Sequence, residues 1–263
     1  MPTCAANGIE IYYERWGEGP PLLFFNGSGT SLATTRPMIE PYGERFQVAA
    51  HDQRGLGETG VTPGPYEMAD YAADGAALLD HLGWDRCRVV GVSFGGMVAQ
   101  EFAVTYPERV ERLALVCTSP GGDFASYPLH TLADMDPAEA GAMRLTLIDT
   151  RYTPEFLAEH DADRALAEFI AGGAAAPPSD EVQRGMAMQL DARSRHDVVD
   201  RLGNVTCPTL VAGGQYDGIA PPANSEAIAA RVPGAEIRLY EGGHMFFIQD
   251  PAAQPEILDF LAG

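Results

Sequence analysis

Positive charge is scarce in this chain: 17 basic residues stand against 37 acidic ones in 263, a formal net charge of −20. Such a surface repels phosphate backbones and anionic lipid, so nucleic acid is excluded as a partner on charge grounds. Long apolar runs are also missing. No stretch approaches the roughly 20 residues that a bilayer-spanning helix needs, and the N-terminus shows no basic segment followed by an apolar one. No membrane association is expected, and the chain reads as cytoplasmic. Cysteine is sparse and scattered at Cys4, Cys87, Cys117 and Cys207, with neither a Cys-x-x-Cys pair nor a His-containing metal spacing. Four free structural thiols are expected, with no disulfide framework, and no metal or cofactor. The acidity itself is read as a solvated surface that aids solubility.

Apolar residues, at 46%, are abundant enough for one sizeable core. Short β-rich runs at 22–25, 48–50, 89–92, 113–117 and 210–212 alternate with longer amphipathic stretches. That rhythm predicts an α/β fold with a mostly parallel central sheet and flanking helices. Alternation at Ile9, Ile11 and Tyr13 predicts an antiparallel edge strand ahead of it. Helices are expected over 68–82, stopped by Gly83; over 94–106, stopped by Pro107; and over 254–261. About ninety residues without a clear strand separate Cys117 from Thr209, far more than a usual connection. Residues 1–119 and 201–263 are therefore assigned to the core and 120–200 to an inserted helical cap, with helices at 137–149, 154–171 and 180–190 and a loop at 174–178.

The segment Val89-Val90-Gly91-Val92-Ser93-Phe94-Gly95-Gly96-Met97 is an apolar strand that runs into Gly-x-Ser-x-Gly and then a helix. A serine on so tight a turn needs flanking residues without Cβ atoms, and its hydroxyl is left exposed. Ser93 is the candidate nucleophile, and the Phe94 amide at the helix start is a candidate oxyanion donor. A serine hydroxyl also needs a base. Of six histidines, His51, His81, His130, His160 and His196 read as surface or capping residues. His244 differs, since it follows Gly242-Gly243 after the run 237–240, at the strand-end edge where open α/β sheets bind ligands. Asp217, directly after the strand at 209–212, is the candidate partner that fixes the histidine tautomer. The order Ser93, Asp217, His244 is the one used by nucleophile-elbow hydrolases. The second oxyanion donor is placed in Asn26-Gly27-Ser28-Gly29, at the Ser28 amide, with Gly27 or Gly29 as alternatives. A phosphate-binding reading of these glycines lacks the Gly-Lys-Ser/Thr ending and the following helix.

With these residues in hand, the sequence resembles the α/β-hydrolase superfamily from about Asn7 to Leu261. The patterns NGSG, DQRGLG, GVSFGG, YPERVERLAL, GGQYDGIAP and EGGHMFFIQDP carry the likeness. It is most similar to small capped bacterial members: 3-oxoadipate enol-lactonase-like proteins, prolyl-aminopeptidase-like esterases and carbon–carbon bond hydrolases. Asn26 stands where many relatives carry histidine, and Glu58-Thr59 where many place a serine. The resemblance implies a serine hydrolase cleaving a small-molecule carboxylic ester or lactone. A pocket is expected to be floored by Asn26, Phe94, Met97, Met245 and Phe246 and roofed by the cap. Carbon–carbon bond hydrolysis or another non-ester reaction by the same triad and a non-catalytic ligand-binding role stay open as alternatives, as does a homodimer.

Overall fold

The computed structural model describes residues 2–172 and 179–263. Its sheet has eight strands: β1 (Thr3–Ala6), β2 (Ile9–Trp16), β3 (Pro21–Phe25), β4 (Gln47–His51), β5 (Cys87–Val92), β6 (Val110–Val116), β7 (Thr209–Gly214) and β8 (Glu236–Tyr240). Their spatial order is β1-β2-β4-β3-β5-β6-β7-β8. β1 and β2 run antiparallel and the other six are parallel to one another. The expected antiparallel strand at Ile9–Tyr13 is present, but it is not the edge. The four-residue β1 lies outside it, too short to announce itself by periodicity.

Helices cover both faces, which is why the central strands read as unbroken apolar runs. In β3, Leu22 and Phe24 face a core shared with α1 (Leu32–Ile39) and the C-terminal helix, while Leu23 and Phe25 face α2 (Met68–Leu82) and α3 (Phe94–Thr105). The ends of α2 follow from local chemistry. The Glu67 amide is capped by Asp70 Oδ2 at 2.8 Å, and Gly83 adopts φ +68° as the chain turns out of the helix.

Between β6 and β7 the described residues form four α-helices: α4 (Pro137–Ile148), α5 (Pro154–Glu159), α6 (Asp161–Gly172) and α7 (Asp180–Ser194). The single helix expected over 154–171 is two, broken at His160, which lies outside helical geometry with ψ +88°. The expected loop at 174–178 falls outside the described residues. Beyond β7 come α8 (Pro222–Ala229), the short α9 (Phe246–Gln249) and α10 (Ala253–Ala262). All four cysteines are buried and free. Among the described residues no helix is long and apolar enough to cross a membrane. The carboxyl ends of β3, β5, β6, β7 and β8 point the same way and bring Asn26, Ser93, Cys117, Asp217 and His244 to one edge of the sheet.

Candidate active site

Ser93 joins β5 to α3 with φ +56° and ψ −117°, a conformation that costs a non-glycine residue about 1–3 kcal/mol and is held by its surroundings. The Ser93 amide donates to Val116 O at 2.8 Å, and its carbonyl accepts from Thr118 Oγ1 at 2.8 Å and from the Gly96 amide at 2.9 Å. The flanking glycines are sterically required. A Cβ on Gly95 would sit 2.1 Å from the Phe25 carbonyl oxygen, and one on Gly91 2.3 Å from the Gly95 oxygen. The turn therefore presses α3 against the end of β3, so that a Cβ built on Gly27 would lie 3.7 Å from Ser93 Cβ.

His244 Nε2 lies 3.0 Å from Ser93 Oγ, and His244 Nδ1 lies 2.8 Å from Asp217 Oδ2. A carboxylate only accepts, so Nδ1 donates and Nε2 is left to accept the serine proton. The other oxygen of Asp217 accepts the amides of Ile219 and Ala220, both at 2.8 Å. Burial opposes a charge on His244, but the adjacent Asp217 carboxylate outweighs it, with a smaller contribution from Cys117, and holds the ring well above its usual 6.5. A group so placed stabilises the imidazolium that proton transfer from serine creates.

Among the described residues, neither the Ser28 nor the Phe94 amide has an acceptor, whereas the Gly29 amide is engaged by Gln189 Oε1 at 2.8 Å. Of the amides considered in that loop, Gly29 is thus occupied, while Ser28 and Gly27 are both without an acceptor among the described residues.

Ser93 and His244 open into a cavity of about 270 Å³ with an almost wholly apolar wall. Asn26 and Met245 line it, as the sequence suggested. Three expected pocket residues do not. Phe94 is fully buried, its ring edge-on to Tyr71 at 5.0 Å in the core. Met97, one turn further along α3, lines a different, smaller cavity. Phe246 is fully buried and stacks on Tyr240 with ring centroids 5.2 Å apart. Their places are taken by Thr35, Met38 and Ile39 of α1, and by Tyr42, Phe247 and Gln254. A second cavity of about 250 Å³ reaches in among α4, α6 and α7 and shares Ser28, Leu129, Ile148 and Ile219 with the first.

The end of α4 stitches the helices between β6 and β7 to both loops that carry the histidine and its acid. Ile148 O accepts the His244 amide at 2.6 Å, and Leu147 O accepts the Gly218 amide at 3.0 Å. Asp149, fully buried, accepts from Arg151 Nη2 at 2.7 Å and from Gln249 Nε2 at 2.9 Å, while Gln249 Oε1 receives the Gly243 amide. Nothing in local sequence signals this clamp, since its parts lie about a hundred residues apart.

Two other histidine readings are corrected. His51 and His196 are not at the surface; both are buried, and burial pushes each down to about 4, so they are neutral. Thr59 supplies a hydroxyl after DQRGLG, donating to Asp52 O at 2.7 Å and accepting the Tyr12 amide at 3.0 Å.

Comparison with known proteins identifies the family. Residues 20–251 match the alpha/beta hydrolase fold family. The chain is 32% identical to a poly(3-hydroxyalkanoate) depolymerase of Ectopseudomonas oleovorans, over 92% of this chain and 84% of that one. It is 31% identical to a putative carbamate hydrolase of Azorhizobium caulinodans, over 98% and 97% of the two chains. Among solved structures, an enol-lactonase from Burkholderia xenovorans superposes over the whole of both chains with a TM-score of 0.82 at 25% identity. The protein belongs to the alpha/beta hydrolase fold family.

Proposed function

We propose that the protein is a serine hydrolase that cleaves a carboxylic ester or lactone with an apolar acyl group. The observation that carries this reading is the hydrogen-bonded series Asp217–His244–Ser93 opening onto the apolar 270 Å³ chamber. Ser93 Oγ attacks the carbonyl carbon as His244 Nε2 takes its proton, and the amides of Ser28 and Phe94 receive the oxyanion. His244 returns the proton to the leaving alkoxide, giving the alcohol, or the tethered hydroxyl of an opened lactone. Water, deprotonated by the same histidine, then releases the acid and restores Ser93. Two chambers that share one wall suit a substrate with apolar groups on both sides of the scissile bond, one arm in each. The names of the depolymerase and enol-lactonase relatives are consistent with ester and lactone bonds. No cofactor enters this chemistry, and the helical insertion at 120–200 acts as the roof of the site.

A panel of aliphatic p-nitrophenyl esters, alkyl esters and lactones tests the proposal against Ser93→Ala. Acid release that falls by several orders of magnitude in the variant is expected, because triad members act as a unit. Equal turnover by both proteins refutes it.

A further inference from the structure

Beside the reaction chamber lies a separate cavity of about 80 Å³ with a different chemistry. The chain at 128–129 divides the two: Pro128 lines the small cavity and Leu129 the large one. The small cavity is walled by Ser119, Ser126, Met97, Ala125 and the guanidinium of Arg193, with exposed His130 at its mouth.

Arg193, on α7, is 6% exposed. Its Nη1 donates to Tyr127 O at 2.9 Å and its Nη2 to Ser126 Oγ at 2.7 Å, but Nε is buried without an acceptor. Among the described residues no carboxylate forms an ion pair with it. The other deeply buried guanidinium, Arg54, is held by Asp74 at 2.7 Å. A buried charge is normally paired, so Arg193 is the exception. Burial pushes it down to about 10, partly offset by the charge of Asp217, so it remains a cation at neutral pH.

The hydroxyls beside it are free to donate. Ser119 Oγ already accepts the Ser126 amide at 3.2 Å, and Ser126 Oγ already accepts Arg193. Each keeps its own proton for a ligand. One positive charge with no carboxylate in direct contact and two hydroxyls able to donate therefore meet in this cavity.

We propose that this cavity binds a small carboxylate monoanion, of formate to acetate size, against Arg193 and the hydroxyls of Ser119 and Ser126. The planar guanidinium matches a carboxylate better than a spherical ion. A single positive charge balances a monoanion but not a phosphate dianion, and Met97 and Ala125 give a methyl group an apolar wall. The site also touches the machinery next door. Tyr127, held by Arg193, donates its amide to Ile219 O at 2.8 Å, and the Ile219 amide in turn binds Asp217. The proposal concerns binding and stands apart from the hydrolase reading.

The test is a titration of the full chain with sodium acetate and with ¹³C-formate, by calorimetry and NMR. Gluconate, too large for the cavity, keeps ionic strength constant. Saturable binding is expected, weakened about tenfold or more in Arg193→Gln, the loss of one charge-assisted contact. Because Arg193 also pins residues 126–127, Ser119→Ala serves as a second variant that keeps both Arg193 bonds but removes the acceptor of the Ser126 amide, so its melting temperature is recorded beside the titration; with that temperature unchanged it should weaken binding about threefold or more. Binding weaker than about 100 mM in the unmodified protein overturns the proposal. So does binding that Ser119→Ala leaves unchanged, or that Arg193→Gln retains in full.

Discussion

Replacing Asp217 by asparagine isolates the role of one carboxylate with little change of volume. Asp217 Oδ1 faces two amide donors, from Ile219 and Ala220, so only the oxygen of the new side chain is tolerated there. The NH2 group must then point at His244 Nδ1, where the carboxylate now accepts at 2.8 Å. Two donors cannot share that contact, so the imidazole is forced into the tautomer with its proton on Nε2, the atom that must take the proton of Ser93. The equivalent change in a Ser-His-Asp protease costs about 10⁴ in kcat, or roughly 5 kcal/mol of transition-state stabilisation. The same order is expected here, measured as initial rates on p-nitrophenyl butyrate near neutral pH. The fold should survive, because the two loop amides keep their acceptor. A folded Asp217→Asn protein that loses less than about tenfold in kcat refutes the argument, since the carboxylate would then not set the tautomer.

Four further outcomes follow from the structure. Since His244 must be neutral to accept a proton and Asp217 holds it above 6.5, kcat/KM should fall as pH is lowered through a midpoint above 6.5; a pH–rate profile flat down to pH 5 contradicts this. The same raised value means that the His244–Asp217 pair stabilises the fold fully below about pH 6.5 and loses that contribution as pH rises through the folded value, which urea titrations across pH can read. Gly95→Ala should cost about 3 kcal/mol or yield little folded protein, because its Cβ meets backbone rather than a movable side chain; near-unchanged denaturation would be the contrary result. Asp74→Ala should cost about 3–5 kcal/mol by stranding the buried Arg54 guanidinium, and an unchanged melting temperature would show the pair to be dispensable.

The residues that sequence reasoning located best are those whose roles are written in local backbone. The elbow at Ser93 is legible because a strand, a strained residue and close helix packing demand glycines at fixed offsets, and α2 because Gly83 ends it. Asp217 and His244 were legible because each directly follows a strand of a parallel sheet. The walls of the chamber were not. Met97 and Phe246 lie close to the site in sequence, yet helix geometry turns one into a neighbouring cavity and the other into the core, while Thr35, Met38 and Tyr42 arrive from a connection that carries no catalytic motif. The α4 clamp, the Gln189 contact to Gly29 and the unpaired Arg193 were equally hidden, because each depends on how the helices between β6 and β7 pack across long sequence distances. Arg193 appeared in the sequence as one of six arginines in the insertion, and only packing distinguishes it as the one with a buried, unpaired guanidinium.

The most direct test of the central claim is intact-mass spectrometry after exposure to a fluorophosphonate, with and without Ser93→Ala. A serine primed by His244 should take up a single adduct that maps to Ser93 and vanishes in the variant. Folded protein that remains unlabelled, or labelling that persists in Ser93→Ala, would contradict the account.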